Sequence, residues 1–167
     1  MPTPEDEFTD FVRREWASLY RTAYLMLGDH GLAEDLVQSA LAKTYIVWGR
    51  VRDSESPRAY VRTTLVNTAS SWFRRRGWKN EVATEALPEP NHTDLQVASG
   101  VMEALTQLPP GQRAVVVLRF HEDLSVGETA RLLNLSTGTV KSQTSHALAK
   151  LRALLATDFI PEGAHHD

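Results

Sequence analysis

SVGETARLLNLSTGTVKSQTSHALAKLR, residues 125–152, is the stretch that decides the fold. Ser125 and Glu128 have the spacing of a capping box. In that motif the serine oxygen accepts from the Glu128 backbone N–H while the Glu128 side chain reaches back. Val126, Ala130 and Leu133 follow at helical steps and form the inner face of a short helix. Asn134 tolerates the left-handed conformation needed to leave it. Leu135 then points into the corner, Ser136 caps a second helix, and Val140, Leu148 and Leu151 face inward. Ala130 is small, as the close crossing of two helices requires. The pattern predicts a helix-turn-helix, a motif that docks its second helix in the major groove of duplex DNA, led by the N-terminal residues. The outward residues are Thr137, Thr139, Lys141, Ser142, Gln143 and Ser145. The same spacing also fits a plain tight turn between packing helices. The capping box, small Ala130 and polar outer face together favour the DNA reader.

Upstream, residues 95–108 read as a helix broken at Pro109-Pro110, and residues 111–121 as another, with Val115, Val116, Leu118 and Phe120 apolar. Residues 8–27 place Phe8, Phe11, Val12, Trp16, Leu19, Tyr20, Ala23, Tyr24 and Leu27 mostly three and four apart, an amphipathic helix that Gly28 ends. Asp29 caps a second helix with Leu32, Leu36, Val37, Ala40, Leu41, Thr44 and Trp48 on its buried stripe, stopping near Gly49. Ser56-Pro57 starts a third, in which Tyr60, Val61, Leu65, Ala69, Trp72 and Phe73 stay in phase down to Gly77. These three can bury one core as a small bundle. Residues 80–94 carry two prolines, only acidic charge and no periodicity, which marks a flexible linker. No period-two pattern survives these readings. The expected fold is all-α: a bundle module over 8–79, the linker over 80–94, a helix-turn-helix module over 95–156 and an acidic tail over 157–167.

The net charge of −3 conceals a pattern. Residues 56–80 carry six Lys/Arg and no acid, whereas residues 81–103 carry five acids and no base. Two basic segments separated by an acidic one suggest two sites on a polyanion. Arg58 and Arg62 lie one turn apart. Arg74, Arg75, Arg76 and Lys79 crowd the helix end, where cations suit the macrodipole. Trp72, Phe73 and Trp78 are interleaved with them. Basic charge attracts phosphates and aromatic faces stack on unpaired bases. Trp72 and Phe73 continue the apolar stripe and read first as core, while Trp78 lies beyond Gly77. Asn67 has the donor and acceptor needed to read a base edge, and a polar core role fits it equally.

Several classes are excluded. No apolar run approaches the roughly 18 residues of a membrane span, and the acidic N-terminus has no secretory signal. No membrane insertion is expected, and a cytoplasmic location is. There is no cysteine, so no disulfide or zinc–thiolate site. Neither clustered carboxylates nor histidines at metal spacing are present, and no Ser/His/Asp set is evident. The expectation is no enzyme, no cofactor, no metal and no catalytic residue.

LPPGQRAVVVLRF (108–120), LSVGETARLL (124–133) and STGTVKS (136–142) resemble sigma region 4; AEDLVQSAL (33–41) and PRAYVRTTLVNTA (57–69) resemble sigma region 2. Over roughly residues 8–156 the chain is similar to extracytoplasmic-function (ECF) sigma factors of bacterial RNA polymerase, with wording nearest the actinobacterial SigE-type group. The resemblance implies a subunit that joins core polymerase, through its clamp helices and flap, directs it to −35 and −10 promoter elements and helps open the duplex. It implies promoter DNA as a partner, and in this family often an anti-sigma factor. Asp35, Gln38 and Ser39 match the face that grips the clamp helices; position 39 is usually acidic there. The helix from Pro57 to Arg76 matches the −10 element, with Asn67 where the family contacts a flipped base. The second helix of region 4 matches the −35 reader, and Gln143 and His146 stand where arginine is common, so the reader is less basic than usual. The expected DNA-binding set is therefore Arg58, Arg62, Asn67, Arg74, Arg75, Arg76, Trp78 and Lys79 toward −10, and Thr137, Thr139, Lys141, Ser142, Gln143, Ser145 and His146 toward −35. A stand-alone regulator using the same helix-turn-helix is the alternative, but it would have no use for a single-strand reader at 56–80.

Overall fold

A computed structural model describes residues 1–75 and 99–158, and these form helices and turns with no strand among them. Helix α1 spans Pro4–Leu27, earlier than its apolar stripe suggested. Its polar first turn is held by a second capping box, Thr3 with Asp6, and Pro4 sits where a missing N–H costs nothing. Gly28 closes the helix at φ 73°, as expected. Asp29 caps α2 (His30–Ile46) by accepting from the Leu32 N–H at 2.7 Å. A one-turn α3 (Trp48–Val51) follows, and its Trp48 indole N–H donates to the Pro4 carbonyl at 3.1 Å. Trp48 therefore pins the start of α1 from a turn beyond α2. Ser56 accepts from the Ala59 N–H at the start of α4 (Pro57–Arg75). Helices α1, α2 and α4 share one core containing Ala23, Tyr24, Leu36, Val37, Ala40, Val61, Leu65 and Ala69.

The second module begins with α5 (Ser99–Thr106). The expected start at residue 95 and the linker 80–94 fall outside the described residues. Helix α6 (Pro110–Val116) continues into a π-helical turn, Val117–His121. The wider turn shifts the phase of the stripe. Phe120, expected among the apolar set, is consequently 53% exposed, with the Arg119 guanidinium over its ring. Helices α7 (Val126–Leu133) and α8 (Thr137–Asp158) complete the module.

The two modules touch. Helix α1 packs on α5, α6 and the π-helical turn, and α4 packs on α7. The end of α1, from Thr22 to Leu27, is buried on every side. Arg113 of α6, only 2% exposed, donates to the Met26 carbonyl at 3.1 Å and to the Leu108 carbonyl at 3.4 Å. No described helix is long and apolar enough to cross a membrane.

Candidate nucleic-acid interface

The helix-turn-helix is closed by short-range bonds. Ser125 and Glu128 exchange hydrogen bonds at 3.0 and 2.8 Å, backbone N–H to side-chain oxygen in each direction. Asn134 adopts φ 59°, ψ 50°, and the Leu135 N–H reaches the Ala130 carbonyl at 2.9 Å. With the Asn134 N–H on the Arg131 carbonyl, this is a Schellman closure. Ser136 then accepts from the Thr139 N–H at 3.0 Å. Val140 and Ala147 are fully buried and mark the inner face of α8, so the residues on the other sides of the helix turn outward. Thr137, Thr139, Lys141, Ser142, Ser145 and His146 are exposed, and Gln143 is half-buried. The predicted −35 set thus lies together on the open side of one helix end.

The backbone and hydroxyl of Ser125 hold the Glu128 carboxyl below the usual carboxylate range. A depressed folded value stabilises above the ordinary glutamate pKa and fails as pH falls through the lowered one. Ser125→Ala should cost about 1 kcal/mol in urea unfolding at neutral pH. The penalty should shrink in acid, where the wild-type box is itself weakened; equal penalties at both pH values would remove the carboxylate from the cap.

The predicted −10 set divides. Asn67 stands nine residues after Arg58, two and a half helical turns, so the two point to opposite sides of α4. Asn67 and Arg74 are exposed on the outer side, with Arg75 flanking them at the helix end. Arg58 instead pairs with Glu15 of α1 at 2.9 Å, and Arg62 with Glu122 after the π-helical turn at 3.5 Å. The structure brings Asn67, Arg74 and Arg75 to one end of α4 and turns Arg58 and Arg62 toward the seam between modules. Trp72 and Phe73 pack half-buried against the core, in line with their stripe. Arg76, Trp78 and Lys79 lie outside the described residues.

On α2, Asp35 and Gln38 are exposed and Ser39 is half-buried. Their stripe continues through Ala42 to Tyr45 and Ile46, which are 47% and 80% exposed. Sequence reasoning passed over these last two. Their signal was available: both are large apolar residues off the buried stripe. Asp35 also shares a cleft of about 340 Å³ with Leu32, Trp72 and Arg75, so the α2 face and the end of α4 adjoin. Among the described residues no group of three His, Cys, Asp or Glu could hold a metal ion.

Among the described residues, a capped helix-turn-helix with an open polar face stands beside a helix that ends in exposed arginines, an arrangement suited to DNA. The patterns of Sigma-70 region 2 and Sigma-70 region 4 match residues 10–79 and 100–151. The RNA polymerase sigma-E factor of Streptomyces coelicolor is 42% identical, over 91% of this chain and 88% of that one. The ECF RNA polymerase sigma factor SigM of Mycobacterium tuberculosis is 30% identical over 89% and 76%. The sigma factor RpoE of Bartonella quintana, solved with the anti-sigma factor NepR, superposes with a TM-score of 0.67 at 24% identity, over 91% of this chain and 98% of that one. The chain belongs to the sigma-70 family, among its ECF sigma factors. Its role is that of a promoter-directing sigma factor in transcription initiation, and the stand-alone regulator is not favoured.

Proposed function

We propose that three faces divide the work of this sigma factor. The α8 face from Thr137 to His146 reads the −35 element. Asn67, Arg74 and Arg75, continued by Arg76, Trp78 and Lys79, engage the −10 element as it opens. The α2 stripe of Asp35, Gln38 and Ser39, extended by Tyr45 and Ile46, docks on the polymerase clamp helices. The observation that carries this reading is the open polar face at the N-terminal end of α8, set by buried Val140 and Ala147 beneath it. The bundle module starts with α1 at Pro4 and runs to residue 79, and the reader module runs from residue 95 to the end of α8 at Asp158, with the acidic linker between them. The protein works in the cytoplasm and performs no catalysis of its own. An anti-sigma factor is a further proposed partner, by analogy with the RpoE–NepR pair.

Run-off transcription with core polymerase on a promoter library tests the assignment. Promoter-specific transcripts are expected, absent with core alone. Gln143→Arg should strengthen binding to the −35 duplex and steepen its salt dependence by about 0.9 log unit, the increment of one added phosphate contact. An unchanged slope would mean that position 143 does not face the DNA.

A further inference from the structure

Arg58 and Arg62 belong to the basic segment 56–80, yet they point away from Asn67 and the DNA-facing end of α4. Both line a recess of about 360 Å³ between α1, α4 and the π-helical turn, outside the three faces assigned above. Arg21 of α1 adds a third guanidinium, and Glu15 and Glu122 add two carboxylates. The carboxylates are already committed. Glu15 Oε1 accepts from Arg58 Nε at 2.9 Å. Glu122 accepts from Arg62 through one oxygen and from the Thr22 hydroxyl through the other.

The arginines keep donors in reserve. A guanidinium carries five N–H donors in a planar fork. Arg58 spends only its Nε on Glu15. Arg62 reaches Glu122 at 3.5 Å, and its buried Nε has no acceptor among the described residues. Arg21, half-buried, makes no hydrogen bond or ion pair among them. With His121 at the rim counted as neutral, three guanidiniums against two carboxylates leave one surplus positive charge. The buried Leu19 and Leu65 close the inner end with apolar surface.

We propose that this recess binds the phosphate group of a small ligand no larger than a mononucleotide. Arg21 and the unspent donors of Arg58 and Arg62 hold the phosphate oxygens, a pairing that guanidinium forks suit geometrically. Glu15 and Glu122 keep the two α4 arginines in place. The volume lies at the small end of ligand pockets, which sets the size limit. One surplus charge suits a single phosphate group rather than a chain of them. The site is therefore distinct in kind from a DNA surface, where many phosphates are neutralised in a row.

Calorimetric titration of the full-length protein with inorganic phosphate and with adenosine monophosphate, at constant ionic strength, tests the site. One-to-one, saturable binding is expected, with a dissociation constant of about 1 mM or tighter. Tighter binding of the nucleotide identifies an organic phosphate as the ligand, and equal or weaker binding identifies the free ion; either supports the site. Arg21→Ala should weaken binding about tenfold, the worth of one charge-assisted hydrogen bond. Ser18→Asp places a negative charge at the exposed rim and should weaken it about fivefold. Arg13→Ala, exposed on α1 and outside the recess, should leave binding unchanged. Circular dichroism melting checks that each variant is folded, and the rim variant tests the site independently of the arginine. No saturable binding of either ligand up to about 10 mM overturns the proposal. So does unaltered binding in folded Arg21→Ala and Ser18→Asp. An equal loss in Arg13→Ala and Arg21→Ala also overturns it, because that pattern marks a general attraction for anions.

Discussion

Replacing Arg113 with alanine should lower the unfolding free energy by about 3 kcal/mol and, in urea, resolve one transition into two. Three terms set the size. Two hydrogen bonds from a charged donor are lost, to the Met26 and Leu108 carbonyls, at about 2 kcal/mol each. Truncating a long side chain in a packed site removes a further 2 kcal/mol or so of contact. Against these stands the cost of holding the charge inside. Burial pulls the guanidinium down to about 10, equivalent to roughly 3 kcal/mol that the variant recovers. Arg113→Met should therefore lose only about 1 kcal/mol, because it keeps most of the packing and also sheds the charge. The split transition follows from the Met26 bond, which ties the second module to the first across 87 residues. Denaturation followed by circular dichroism and by tryptophan fluorescence reads both effects. All four tryptophans belong to residues 16–78, so fluorescence reports the bundle module alone. Coincident transitions with an unchanged midpoint would place Arg113 in solvent.

Arg113 also marks where sequence reasoning stops. The helix-turn-helix was legible because its determinants are local. The Ser125–Glu128 box, the left-handed Asn134 and the Ser136 cap each bond to groups within five residues. The Asp29 cap and the Gly28 closure were legible for the same reason. The Thr3–Asp6 box is equally local, but it precedes the apolar stripe that begins at Phe8 and so lies outside the periodic signal. The seam is different. Thr22 and Glu122 are 100 residues apart, and nothing in either neighbourhood names the other. A lone arginine before the apolar run Ala114–Leu118 reads as a solvated base until the end of α1 covers it. Phe120 misled for a third reason. Its apolarity suits a helix of ordinary pitch, and one wide turn carried it out to solvent.

The basic segment 56–80 shows how charge counting can mislead about faces. Six bases without an acid suggest one continuous DNA surface. Helical pitch alone separates Arg58 from Asn67 by half a turn. The acids that answer Arg58 and Arg62 come from α1 and from the second module, which no local count could include. The candidate −10 surface is therefore narrower than composition suggests and lies toward the end of α4. That concentrates its electrostatics on few residues and makes them correspondingly costly to remove.

Arg74→Ala with Arg75→Ala should reduce promoter binding and opening by about 100-fold at fixed salt, the largest functional effect expected of any surface pair in this chain. Each arginine on a phosphate makes a charge-assisted bond of about 1.5 kcal/mol or more, and two together give about 3 kcal/mol. The salt dependence should flatten as well, by about 0.7–0.9 log unit for each lost contact. Both side chains are exposed, so the unfolding midpoint should barely move apart from a small loss of helix-dipole support. The single variants separate two ways in which the pair could act. Arg74 stands on the outer side of α4 near Asn67, and its loss should appear only in DNA binding. Arg75 shares its cleft with Asp35 and Trp72, against the face proposed to hold polymerase. Core-polymerase affinity measured without DNA distinguishes the roles. If Arg75→Ala weakens that affinity while leaving the salt slope for DNA intact, Arg75 serves the α2 face by steadying Asp35. The −10 contact would then fall to Arg74 and the residues beyond it. If polymerase affinity holds and the slope flattens, both arginines act on phosphate, and the end of α4 is where the protein meets the opening duplex.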